Sequence, residues 1–146
     1  MTLTPYLVVK GAAAALDFYA RAFGAEEELR LTDSAGRIGH AHMLIGDSAF
    51  MLADEHPEFG AVGPVSLGGS PVSLHLEVAD ADAAAARAIE AGATLLRPVE
   101  DQFHGNRSGM VADPFGHKWF ISQQTEEVGA EEMQRRYDRL LAGEKK

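Results

Sequence analysis

The chain has 146 residues, 46% of them hydrophobic, which suits a single domain with a real core. Thirteen basic against 22 acidic residues leave a net charge of −9, which disfavours nucleic acid and anionic membrane surfaces, since both select for basic patches. Cysteine is absent, excluding disulfides, thiolate zinc sites and cysteine nucleophiles; without a basic leader or a long apolar run, the expected protein is cytoplasmic and has no membrane span.

In chain order, "YLVV" (6–9) is an apolar run of strand length. "AAAALDFYARAF" follows with Leu16, Tyr19, Ala20 and Phe23 at helical spacing, and Gly24 is placed to end that helix. "RIGHAHMLIG" and "SAFMLAD" read as strands joined by the hairpin signal Gly46-Asp47. A second set begins at "SLHLEV" (73–78), followed by a helix "ADAAAARAIEA" capped by Asp80 and closed by Gly92. Strands are expected again around "TLLRP", "RSGMVAD" and "KWFIS". Both helices finish in Gly-Ala at a spacing of roughly 70 residues, which suggests a duplicated βαβββ module, although two alanine-rich helices could also match by chance. The predicted organisation is one domain over 1–124, with module one at 1–54, a Gly/Pro-rich linker at 55–71 and module two at 72–124. A C-terminal helical tail spans 125–146. Its apolar stripe of Met133, Tyr137, Leu140 and Leu141 suits packing on the domain or on a second subunit.

Strand parity then separates two faces. Leu74, Leu76 and Val78 should lie under a helix, as should Phe50, Leu52, Trp119 and Ile121. Met51, His75, Glu77 and Phe120 fall on the opposite face with Lys118 and Ser122. An apolar surface carrying a few polar groups is typical of a small-molecule pocket, although a subunit interface has similar composition.

Three stretches, "ALDFYARAFGA", "GHAHMLIGDSAFMLADE" and "DQFHGNRSGMVADPFGHKWFIS", resemble the vicinal oxygen chelate superfamily, which includes glyoxalases, extradiol dioxygenases and bleomycin- or fosfomycin-resistance proteins. The resemblance covers about residues 4–124. It implies an α+β fold in which two βαβββ modules form a curled mixed sheet around a cleft, often as a dimer. It also implies divalent-metal ligands on the first and last strand of each module, normally His, Gln or Glu. Those positions fall on Thr4, Met51, Ser73 and Phe120, none of which is a plausible ligand. The expectation is therefore no metal and no other cofactor.

Other candidates compete with blander roles. His40 and His42 share a strand face and with His75 could form a displaced metal site, or could simply be surface or hydrogen-bonded histidines. His75 and Glu77 are the candidate acid and base, or a pair that satisfies itself. Arg107 could meet an anion through its planar fork, or pair with Asp101 or Asp113. Asp113-Pro114-Phe115-Gly116 reads as a structural turn. The leading expectation is a homodimeric small-molecule binder, with Tyr6, His42, Met51, His75, Glu77, Arg107 and Phe120 contacting a partly aromatic ligand. Its rivals are a metal-free isomerase or lyase using His75 and Glu77, a glyoxalase or dioxygenase with displaced metal ligands, and a scaffold whose cleft is filled by its own side chains.

Overall fold

A computed structural model describes residues 1–143; the last three residues of the expected tail, 144–146, lie outside the described residues. Two βαβββ modules are present, as the repeat predicts. Module one comprises β1 (Tyr6–Val9), α1 (Ala12–Phe23), β2 (Glu26–Thr32), β3 (Ile38–Ile45) and β4 (Ser48–Asp54). The linker folds into a short 3-10 turn at Pro57–Phe59 and one helical turn, α2 (Pro64–Leu67), rather than a bare loop. Module two repeats the order with β5 (Ser73–Glu77), α3 (Ala81–Ala91), β6 (Thr94–Asp101), β7 (Asn106–Ala112) and β8 (Lys118–Gln124). The tail helix is α4 (Ala130–Leu141).

Each module forms its own four-stranded mixed sheet, ordered β1-β4-β3-β2 and β5-β8-β7-β6, with the first strand parallel to the last. Among the described residues, no strand of one sheet pairs with a strand of the other, and neither sheet closes on itself. The modules meet instead through their helices. Ala12, Ala15 and Ala22 of α1 and Ala81, Ala85 and Ala88 of α3 are all buried, and such small side chains let the helices approach closely. Two guanidinium groups stitch the crossing: Arg87 Nε donates to the Arg21 carbonyl at 2.7 Å, and Arg21 Nη1 donates to the Ala91 carbonyl at 3.2 Å.

Local chemistry sets the helix ends. Gly24 takes φ 68°, the left-handed conformation that glycine adopts without strain. The start of α1 has no side-chain cap of its own, and the carboxylate of Asp54, at the end of β4, accepts from the Gly11 and Ala12 amides in its place. Asp80 caps α3 by accepting from the Ala83 amide at 3.1 Å, as expected from its position.

One aromatic core joins both modules. Tyr19 and Phe23 of α1 lie 5.5 Å and 4.6 Å, centroid to centroid, from Trp119 of β8, and Phe50 of β4 lies 6.0 Å from it. Trp119 is only 3% exposed, which confirms its place under the helices. Asp113, 4% exposed, is the polar centre of this core. One carboxylate oxygen accepts from the Tyr19 hydroxyl at 2.5 Å and Trp119 Nε1 at 2.9 Å; the other accepts from the Phe115 and His117 amides. The Asp-Pro-Phe-Gly turn is thus structural, and more than a turn.

Candidate functional site

On the helix-free face of module one, cross-strand register places Tyr6, Met51, His42 and Leu29 in one row. His40 lies opposite Leu31 in the next row. The Tyr6 hydroxyl bonds His40 Nδ1 at 3.0 Å, and burial raises its pKa above the ordinary tyrosine value. His42 Nδ1 lies 3.9 Å from a Glu28 carboxylate oxygen. This face remains open: Tyr6 is 48% exposed and Leu31 54%, with Leu29 also exposed.

Module two carries the matching row of His75, Phe120, Met110 and Arg97. Register therefore equates Tyr6 with His75 and Met51 with Phe120, the same strand positions one module apart. The rings of His75 and Phe120 lie 6.2 Å apart, and the Arg97 guanidinium carbon sits 5.9 Å from the Phe120 ring centroid. The next row holds Glu77, Ser122, Ser108 and Glu100. Ser122 is fully buried, and its hydroxyl accepts from Asn106 Nδ2 at 2.7 Å.

Two cavities open beside these faces. The larger, about 880 Å³, is a seam between the free edge of β5, residues 2–5 and the β3–β4 hairpin; Thr4, Ser73, His75 and Glu77 line it. The smaller, about 520 Å³, lies on module two's face and is lined by Arg97, Glu100, Gln102, Ser108 and Phe120. Within one chain, the side chains expected around a single cleft are therefore divided. Thr4 and Ser73 share the seam, Phe120 lines the smaller cavity, and Met51 lies on the open face of module one.

The donor set does not suit a divalent metal. Thr4 and Ser73 offer neutral hydroxyls, Met51 a soft thioether, and Phe120 nothing. His40 and His42 belong to one sheet and His75 to the other, and among the described residues no three histidine or carboxylate side chains gather as a metal site.

His75 and Glu77 are both exposed on the same side of β5, and no ion pair joins them among the described residues. Arg107 does not join the cleft residues. It alternates away from Ser108 and Met110 and binds Asp82 of α3 through Nε (2.8 Å) and Nη2 (3.1 Å), with Asp101 at 3.3 Å. Of the two partners considered for it, Asp101 is real and Asp113 is engaged elsewhere. Sequence reasoning missed Arg97 and Glu100, because the irregular register of β6 disrupts the alternation by which faces are read, and it missed Ser108 of the regular strand β7 as well.

The glyoxalase/bleomycin resistance protein/dioxygenase superfamily pattern matches residues 2–121, and the chain belongs to that superfamily. An uncharacterized Mycobacterium tuberculosis protein is 46% identical over 135 residues, covering 90% of this chain and 79% of that one. The crystal structure of a Pseudomonas aeruginosa protein superposes with TM-score 0.70 at 26% identity, over 86% of this chain and 99% of that one. The fosfomycin resistance protein of Listeria monocytogenes shares the fold, with TM-score 0.66 at 16% identity over 91% of this chain and 97% of that one. Among the described residues, no helix is long and apolar enough to cross a membrane.

Proposed function

We propose that this protein is a cytoplasmic, homodimeric binder of a partly aromatic small molecule, and that its cleft works without a metal. The observation that carries this reading is the pairing of Met51 with Phe120. Equivalent strand positions, where metal-using relatives carry donors, here present a thioether and a phenyl ring. Both favour apolar and aromatic surface over a hydrated cation. Tyr6, His42 and His75 border these two residues, Glu77 lies one row further along β5, and together they supply the polar contacts that orient a ligand. The dimer follows from the exposed apolar side chains of module one, whose open face would meet module two of a second copy and enclose the cleft. Elemental analysis of protein purified without chelator, together with thermal shifts against nickel, zinc, manganese and iron, tests the metal-free reading. Substoichiometric metal and no shift are expected, and one divalent ion per cleft would overturn it.

A second reading rests on His75 and Glu77, which are exposed on one strand face and border the 880 Å³ seam. An imidazole beside a carboxylate could move a proton to and from a bound substrate, which defines a metal-free isomerase or lyase. Glu77→Gln separates the two readings: an acid–base enzyme loses turnover, whereas a binder keeps most of its affinity.

A further inference from the structure

The irregular path of β6 gives module two a polar feature that module one lacks. Arg97 lies opposite Met110, and Glu100 lies opposite Ser108. Pro98 and Val99 on β6 therefore face the single residue Gly109 on β7. In a regular strand, positions 97 and 100 would point to opposite faces; the extra residue puts both on the same one, and bulges commonly re-aim side chains in this way. Pro98 sits inside the irregular stretch, where an amide donor is dispensable. Gly109 on the neighbouring strand leaves room for it: a Cβ there would lie 2.8 Å from the Arg97 carbonyl oxygen and 2.9 Å from Val99 Cγ2. The feature is built in on both strands.

Arg97 is also unusual in its company. Arg21, Arg30, Arg37, Arg107, Arg135, Arg136 and Arg139 each lie within ion-pair distance of a carboxylate. Arg87 spends its guanidinium on a backbone carbonyl. Among the described residues, Arg97 has no ion pair with a carboxylate, and it lines the 520 Å³ cavity over the face of Phe120. A guanidinium beside an aromatic wall is suited to a ligand that is flat at one end and anionic at the other.

Resting on the binder reading above, we infer that the module-two cavity selects aryl carboxylates. The ligand carboxylate takes the fork of Arg97, its ring lies against Phe120, and Glu100, one row along β6, faces hydrogen-bond donors on the ligand's flank. This polarity distinguishes the site from a merely apolar cleft, which would accept neutral and charged aromatics alike.

Three probes of one shape test the inference by titration calorimetry on the full chain: 2-naphthoate, 2-naphthamide and 2-naphthylmethylamine. The acid should bind roughly tenfold or more tighter than the amide, the difference expected for a hydrogen-bonded charge. Arg97→Gln should shrink that difference to about twofold or less, and Glu100→Gln should tighten the acid without changing the order. Equal affinities for all three probes, with Phe120→Ala weakening each, would overturn the assignment of Arg97 yet leave the binder reading intact. Tightest binding by the amine would overturn it in favour of Glu100. No binding by any probe would sink the inference and the aromatic cleft together. Because Arg97 is exposed, its replacement leaves the core untouched, and an unchanged melting temperature of R97Q separates lost recognition from lost fold.

Discussion

Asp113 accepts four hydrogen bonds, two from backbone amides of its own turn and two from the buried side chains of Trp119, six residues on, and Tyr19, in the other module. Asp113→Asn replaces one acceptor with an amide that faces the Tyr19 and Trp119 donors, and should lower stability by about 3 kcal/mol in a denaturant titration, since a buried unsatisfied partner carries its full desolvation cost. An unchanged midpoint would show the network to be dispensable. The Tyr19 hydroxyl is held well above its ordinary pKa, first by burial and then by the Asp113 charge beside it. The folded state thus keeps this proton where the unfolded chain loses it, so the contribution is intact below about pH 10 and fades as pH rises beyond that. Tyr19→Phe should flatten that alkaline loss while weakening the protein at neutral pH; a wild-type curve without the alkaline loss would contradict the account. None of this was legible in the sequence. "DPFG" announces a turn whose own amides bind one carboxylate oxygen, but the partners of the other oxygen come from α1 and β8, and only the tertiary fold brings Tyr19 within reach.

At the scale of elements, α1 and α3, the hairpin and the first and last strands of each module could be read from periodicity, capping residues and glycines. β2 was the hardest. Its sequence, "EEELRLT", places three glutamates together, and all seven of its residues are exposed, so there is no buried face to create an alternating pattern. β6 was legible as a strand around "TLLRP", but its irregular register hid which face Arg97 and Glu100 take. The tail helix shows what parity alone does not reveal. α4 is anchored by Arg136, which forms a two-pronged pair with Glu126 and donates to the Phe103 carbonyl at 3.1 Å, and by Tyr137, stacked on Phe103 at 5.5 Å. Arg136 lowers the pKa values of Glu126 and Glu132 by hydrogen bonding and charge. Depressed carboxyl pKa values contribute stability above the unfolded value and lose it as pH falls through the folded one, so α4 should loosen below about pH 4. Hydrogen exchange over 130–141 reads this directly: amides there should lose protection in acid before those of β3 and β8. Uniform loss across all three segments would show that the tail and domain melt as one.

For the whole molecule, the duplicated architecture was visible from the repeat, while the division of the expected cleft was not. Parity says which face a side chain takes but not which sheet that face meets. In a single chain the modules join through helices, leaving Leu29, Leu31 and Tyr6 in solvent. Exposed apolar side chains gathered on one sheet face call for a cover. If a second copy supplies it, Leu31→Glu should shift sedimentation from dimer to monomer and leave the far-ultraviolet circular dichroism unchanged. Wild-type protein that sediments as a monomer at high concentration would rule out this assembly.

The hydrogen bond from Tyr19 to Asp113 has one more consequence. A side chain from the first half of the chain completes the interior of the second, and neither half can shield its aromatic rings alone. The covalent link is therefore not the only thing that joins them, although the linker itself packs closely, with Pro64 buried beside Gly116. A polypeptide cut within 55–71 should survive as two fragments that hold together by mutual need, and its melting temperature should climb with protein concentration, as that of a complex does.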